Sequence, residues 1–108
     1  MRKLKFRFWL NKKCQGILEL EKGGILDIGW EWDSIDQFTG LLDRHGKEIY
    51  EGDIVKIGRT KFTIEFRDCG FEMIGIGIVC VARLCSAYRD IEIIGNIYEN
   101  KNLLDPRI

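Results

Sequence analysis

Hydrophobic and polar residues alternate with a period of two along much of the chain, which is the pattern of half-buried β-strands. Residues 4–10 show it most clearly, because every even position is Leu or Phe and two of the three odd positions are Lys5 and Arg7. The third odd position is Trp9, which we expect to cover a neighbouring element or a partner subunit. The pattern predicts an opening strand with its even positions in the core.

Glycine-containing turns separate further segments of this kind, which predict strands over 17–20, 25–32, 41–42, 48–50, 54–57, 60–66 and 91–97. The run 71–84 is apolar and rich in glycine and β-branched residues, and it predicts one long or bent strand. We expect a loop over 33–36, and a turn of helix over 98–104 that ends before Pro106.

Many short strands and almost no helical periodicity predict a mainly β protein. The chain of 108 residues is 45% hydrophobic, which is enough for one core without disulfides or a metal. The predicted fold is a small antiparallel, partly closed β-barrel or sandwich, with an N-terminal β-hairpin region and little helix. It forms a single domain over residues 1–108.

Net charge limits the classes of partner. The 17 basic and 17 acidic residues cancel, so no global field draws the chain to nucleic acid or to an anionic membrane. A local patch is the remaining route, and residues 1–13 contain six basic residues and no acid. No apolar run approaches the roughly 18 residues of a membrane span. We expect a cytoplasmic protein with no membrane partner.

The residues that most often carry chemistry form no recognised motif. The four cysteines form no C-x-x-C pair, which argues against a zinc site, and we interpret them as small packed side chains. They are Cys14, Cys69, Cys80 and Cys85. The single histidine, His45, lies in a predicted turn. No catalytic residue, metal site or cofactor is therefore predicted, and the sequence does not indicate an enzyme.

Acidic residues near the middle of the chain have an ordinary structural interpretation. Asp43 and Asp53 are expected to accept hydrogen bonds from backbone amides in turns. Glu48 and Glu51 are expected to pair with a nearby cation, for which the candidates are Lys47, Lys56 and Arg59.

Three motifs together resemble the YopX family of phage and prophage proteins of Gram-positive bacteria. They are KFRFW at 5–9, QFTGLLDRHGKEIYEGDIVKI at 37–57 and IEIIGNIYEN at 91–100, in that order. The chain departs from the family pattern at Phe8 and Leu10, and again at Lys101 and Asn102, where such proteins often carry a proline and an acid. The resemblance implies a largely β, cytoplasmic protein of the bacterial host with no established reaction, so it supplies no catalytic residues.

Three functions stay open at this stage. The first is a non-enzymatic accessory protein that binds a host or phage protein and self-associates, with Trp30, Trp32, Ile76 and Ile78 as the candidate oligomer interface. The second is a small nucleic-acid-binding barrel that uses Lys5, Arg7 and Trp9. The third is a small-ligand or nucleotide-binding protein that contacts anions through Arg44, Lys47 and Arg59.

Overall fold

The computed structural model describes residues 4–20, 33–85 and 90–107. Within these ranges the elements are β1 (Leu4–Leu10), β2 (Lys13–Leu20), β3 (Ser34–Leu42), β4 (Glu48–Tyr50), β5 (Asp53–Ile57), β6 (Thr60–Arg67), β7 (Gly70–Gly75), β8 (Val81–Arg83), β9 (Glu92–Asn96) and a 3₁₀-helix (Lys101–Leu104). The strands form two antiparallel sheets in the orders β2-β1-β3-β4 and β8-β7-β6-β5-β9. The mainly β prediction is confirmed. The sheets are not closed on each other, so the sandwich describes the fold and the barrel does not.

Two hairpins reverse through two-residue turns in the left-handed conformation. Asn11 and Lys12 join β1 to β2 with φ of 52° and 64°, and Asp68 and Cys69 join β6 to β7 with φ of 50° and 65°. Positive φ at both turn residues is the geometry of the type I′ turn, whose twist matches that of the flanking strands. The second turn residue is usually glycine, so Lys12 and Cys69 are held in a costly conformation.

The main hydrophobic core lies against the second sheet. Its buried members are Ile49, Val55, Phe62, Ile64, Phe71, Met73, Leu84 and Ile91. Alternation supplies them, because Phe62 and Ile64 in β6 and Phe71 and Met73 in β7 point to the same face. Ile49 of β4 belongs to the same cluster, so the core joins the two sheets.

The turn between β4 and β5 carries the chain from the first sheet to the second. The Glu51 amide donates to the Gln37 carbonyl of β3 at 2.9 Å, and the Gly52 amide donates to the Ile64 carbonyl of β6 at 2.8 Å. Gly52 has φ of 88°, which glycine adopts without steric cost. After β9 the chain returns to this turn, where the Ile97 amide donates to the Gly52 carbonyl at 2.9 Å.

Several predicted boundaries are corrected. Residues 34–36 belong to β3 and are not a loop, because β1 supplies the pairing partner that local polarity did not reveal. The run 71–84 is not one strand: it reverses between β7 and β8, with Gly77 at φ of 78°. The terminal helical turn is present as the 3₁₀-helix Lys101–Leu104.

The strand predicted over 25–32 and its turn at 21–24 lie outside the described residues. Within the ranges that the structure describes, no helix is long and apolar enough to cross a membrane.

Candidate functional site

Arg7 lies between the two sheets and binds carboxylates from both. Its Nη1 donates to Asp53 Oδ1 of β5 at 2.8 Å, and its Nη2 donates to Asp36 Oδ2 of β3 at 3.2 Å. Nη2 also donates to the Glu51 carbonyl at 3.2 Å. The side chains of Arg7, Asp36 and Asp53 are 12%, 4% and 3% exposed, so these are interior ion pairs.

Asp36 is held by three donor side chains, two on β1 and one on the segment after β9. Besides Arg7, it accepts from Trp9 Nε1 at 2.7 Å and from the Tyr98 hydroxyl at 2.7 Å. The rings of Trp9 and Tyr98 stack with their centroids 4.4 Å apart. The Tyr98 amide donates to Asn96 Oδ1 at 3.0 Å, which anchors the segment that delivers the ring. Both oxygens of Asp36 are thereby engaged.

Asp53 is held by the cation and by its own turn. While Oδ1 binds Arg7, Oδ2 accepts from the Tyr50 amide at 2.8 Å. The Tyr50 ring also lies beside Arg7, with the guanidinium carbon 4.7 Å from the ring centroid, and the Trp9 ring is 5.0 Å from the same carbon. Cation–π contact adds to the stabilisation of a desolvated guanidinium. We call Arg7, Trp9, Asp36, Asp53 and Tyr98 the Arg7 cluster.

The charges of the cluster do not balance, because one guanidinium lies between two carboxylates. Burial disfavours the charged form of Arg7, but Asp53 and Asp36 outweigh it and raise the pKa of Arg7. Burial raises the pKa of Asp53, and the Asp36 charge adds to this rise, while Arg7 and the Tyr50 amide oppose it only in part. Burial and Asp36 together raise the pKa of Tyr98 to about 12, so its hydroxyl stays protonated and donates.

A second, more exposed ion pair borders the cluster. Lys5 Nζ lies 2.5 Å from Glu48 Oε2, and the Tyr50 hydroxyl donates to Glu48 Oε1 at 3.2 Å. Glu48 therefore pairs with Lys5, which corrects the expected pairing with Lys47, Lys56 or Arg59. Burial, followed by the Glu48 charge, raises the pKa of Tyr50.

A third buried carboxylate organises the turn between β3 and β4. Asp43 Oδ1 accepts from the amides of His45 and Lys47 at 2.8 and 2.9 Å, and Oδ2 accepts from the Ile93 amide of β9 at 3.1 Å. Burial opposes ionisation, but these three amides hold the pKa of Asp43 below its ordinary value. The prediction that Asp43 and Asp53 bind backbone amides is confirmed.

The cluster connects elements and offers no assembled catalytic group. Its carboxylate oxygens are occupied by donors, and His45 is an exposed residue of the Asp43 turn. Over residues 4–20, 33–85 and 90–107, no three His, Cys, Asp or Glu side chains are grouped so that they could hold a metal ion. The arrangement ties β1 and β3 of one sheet to β5 of the other and to the segment after β9.

Lys5, Arg7 and Trp9 face the interior rather than an exposed basic surface. Trp9 is 1% exposed and covers Tyr98, which confirms the expectation that it covers a neighbouring element. The expectation that the even positions of β1 form its buried face holds in part, since Phe8 is 7% exposed but Leu4 is 42% exposed. The odd face is covered as well, because Arg7 is nearly buried. The ion pairs explain why the charged face is covered too, because they make the interior a favourable place for Arg7.

The remaining candidate residues lie elsewhere. Arg44, Lys47 and Arg59 are exposed, and they share one end of the molecule because the Arg44 amide donates to the Ile91 carbonyl at the start of β9, beside the end of β5. In the proposed interface, Ile78 is 50% exposed, Ile76 is half-buried, and Trp30 and Trp32 lie outside the described residues. Cys14, Cys69 and Cys85 are exposed and Cys80 is half-buried, so most of the cysteines are not packed side chains.

Sequence reasoning did not identify Asp36 or Tyr98. Asp36 lies in a segment interpreted as a loop, and Tyr98 lies in one interpreted as a helical turn. The available signal was the position of Tyr98 inside the third motif, since each of the three motifs contributes to the Arg7 cluster.

Comparisons with known proteins identify a family and a similar solved structure. A family model described as YopX protein matches residues 5–105, a range that contains the whole Arg7 cluster. The crystal structure of protein EF1440 from Enterococcus faecalis is similar, with 26% sequence identity and a TM-score of 0.63. The match covers 97% of this chain and 100% of that chain. No curated protein matches the chain.

Proposed function

The chain belongs to the YopX protein family, and from this premise we propose a phage- or prophage-encoded accessory protein that acts by binding rather than by catalysis. It self-associates and engages a host or phage protein in the bacterial cytoplasm. The Arg7 cluster supports this proposal, because its buried charged groups bind one another and thereby join the two sheets. Recognition is then left to the outer surface.

The edge strand β8 is the observation that carries self-association. Hydrogen bonds link Gly75 N to Cys80 O at 2.7 Å and Leu84 N to Phe71 O at 3.0 Å. Bonded pairs alternate along an antiparallel ladder, so the amides of Val81 and Arg83 point away from β7. Among the described strands β8 ends its sheet, and these amides form an open edge.

Apolar side chains accompany the open edge. Val81 is 57% exposed, and in the turn before it Ile78 and Val79 are 50% and 109% exposed. An apolar, unpaired strand edge is usually covered by another chain or protected by charge or proline. We infer that a second copy of the chain pairs antiparallel with β8, which satisfies both edges by the same two-fold contact.

Replacing Val81 by Pro tests this model, because its outward amide takes no part in the β7–β8 ladder. The variant should keep its fold by circular dichroism and be a monomer by light scattering, whereas Val81→Thr, which keeps the amide, should remain associated. A parent protein that is monomeric at micromolar concentration, or a Val81→Pro protein of unchanged mass, would exclude pairing through β8.

A second candidate function is anion or nucleotide binding at the end of the molecule where the β3–β4 turn and the β5–β6 turn lie. Glu92 pairs in register with Lys56, and Arg44 Nη1 lies 3.9 Å from Glu92 Oε2, so the basic side chains of both turns approach one strand end. Exposed Lys47 and Arg59 lie in those turns. Pyrophosphate and ATP should then raise the melting temperature of the parent protein, but not that of Arg59→Gln, in a thermal-shift assay. An equal response from both proteins would place the ligand elsewhere.

Nucleic-acid binding through Lys5, Arg7 and Trp9 has less support, because Arg7 and Trp9 are engaged inside the protein. It stays a prediction, and a salt-dependent mobility-shift assay with Lys5→Gln as the variant addresses it.

A further inference from the structure

Two cysteines and an arginine meet at a cavity near the β6–β7 turn. The cavity has a volume of about 320 Å³, and its lining includes Cys69, Arg83 and Cys85 together with Gly70 and Thr39. Both cysteines are exposed, so small molecules in solution can reach them. Neither cysteine belongs to the Arg7 cluster or to the proposed edge contact.

Strand register brings the two cysteines close together. Glu72 pairs with Arg83, and the Leu84 amide donates to the Phe71 carbonyl at 3.0 Å, so the ladder continues beyond the end of β8. The next pair in this register is Gly70 with Cys85. Cys69 directly precedes Gly70, so the two cysteines lie at the same end of this ladder and line the same cavity. A disulfide between them requires their Cα atoms to lie within about 7 Å of each other.

Arg83 places a positive charge in the same cavity as the two cysteines, beside Gly70. Its guanidinium covers Gly70 and occupies the space where a side chain at that position would stand. A side chain at position 70 would therefore displace the guanidinium from this place. A cation beside a cysteine can bind the carboxylates of an incoming anionic disulfide such as oxidised glutathione.

We propose that Cys69 and Cys85 form a thiol–disulfide exchange site that accepts glutathione disulfide as its oxidant. The thiolate of one cysteine attacks a sulfur of glutathione disulfide, which forms a mixed disulfide and releases one glutathione thiolate. The second cysteine then attacks the protein sulfur of the mixed disulfide and releases the second glutathione. The two electrons and two thiol protons end on two molecules of glutathione.

The resulting bond would tie the end of β8 to the β6–β7 turn across the mouth of the cavity. This property goes beyond the proposed binding function and does not depend on it. Cys14 in β2 and Cys80 at the other end of the β7–β8 hairpin serve as internal comparisons, because neither lines the cavity.

Peptide mapping after equilibration with glutathione buffers tests the pairing. Trypsin releases residues 68–83, which contain Cys69 and Cys80, and residues 84–89, which contain Cys85. The two peptides should be linked in the parent protein, in Cys14→Ser and in Cys80→Ser, and not in Cys69→Ser, which should instead carry glutathione on Cys85. Linkage that persists in Cys69→Ser, or glutathione adducts without any linkage in the parent, would overturn the proposal.

Arg83→Gln tests the role assigned to the cation, with Arg107→Gln as the control, because the Arg107 side chain is 87% exposed and does not line the cavity. The rate of reaction with glutathione disulfide should fall several-fold in Arg83→Gln, while the rate with the uncharged hydroxyethyl disulfide should change little. Equal rates for Arg83→Gln and the parent with glutathione disulfide would remove Arg83 from the site. An equal loss with both reagents would likewise contradict anion binding by Arg83.

Discussion

Arg7 is the single cation between two buried carboxylates, so replacing it by Met removes the partner of both while keeping much of its aliphatic volume. The side chains of Asp36 and Asp53 are only 4% and 3% exposed and cannot recover hydration without opening the sheets. Removing one partner from a buried ion pair usually costs about 3–5 kcal/mol. Because Asp36 keeps its bonds from Trp9 and Tyr98, we expect a loss within that range rather than a sum over two pairs.

Urea denaturation followed by circular dichroism measures this loss, and its pH dependence identifies the cause. In Arg7→Met the pKa of Asp53, already raised by burial, rises further. The folded state then binds more protons than the unfolded state, so stability falls as pH rises. The deficit relative to the parent protein should therefore be smaller at about pH 5 than at about pH 7.

Arg44→Met is the matched control, because Arg44 is 54% exposed and its ion pair with Glu92 is long, at 3.9 Å. We expect it to change the free energy of unfolding by no more than about 0.5 kcal/mol. A loss of less than about 1 kcal/mol for Arg7→Met, or a deficit that does not change with pH, would show that the Arg7 cluster is not the interior ion-pair network described above.

Three further changes test the turns. Gly52→Ala should lower the free energy of unfolding by about 2 kcal/mol or more, because a methyl group there contacts Asp36 and Tyr98 at a φ of 88°. Gly58→Ala, at a φ of 61°, meets no neighbour and should lower it by only about 1 kcal/mol. Similar thermal denaturation midpoints for the two variants would contradict this packing. Asp43→Asn should lower the free energy of unfolding by about 1–3 kcal/mol near neutral pH. It should also flatten the dependence of stability on pH in acid, since the lowered pKa of Asp43 contributes stability that is lost as pH falls below the ordinary pKa of 3.8. An unchanged pH dependence would refute the role of Asp43. Lys12→Gly should raise the unfolding free energy by about 0.5–1 kcal/mol by relieving the left-handed turn, and a decrease would contradict the type I′ assignment.

Local patterns predicted the strands whose partners are adjacent in sequence. The strands β4, β5 and β6 lie where alternation and glycine turns place them, because hairpin pairing follows from turn chemistry. Alternation also predicted β9, although its partner β5 is far away in the chain. The start of β3 was missed since its partner is β1, far away in the chain. Its buried Asp36 also broke the apolar pattern that identifies strands.

The Arg7 cluster illustrates what periodicity cannot decide. Alternation separates the two faces of β1 correctly but cannot show that the charged face is covered as well when its side chains find partners elsewhere. The partners of Arg7 are 29 and 46 positions away, and no local signal joins them. The family resemblance marked the right segments without showing that they meet.

These separations also bear on the order in which the protein folds. Tyr98 and Asp36 are 62 positions apart, so their hydrogen bond closes a long loop, and such contacts form only after much of the chain is already arranged. We expect the Arg7 cluster to be largely absent from the folding transition state. Substitutions in it should then accelerate unfolding far more than they slow folding, and stopped-flow chevrons of Arg7→Met would reveal the opposite if the cluster formed early. The ion pairs between the sheets thus govern how long the folded protein persists rather than how quickly it is reached.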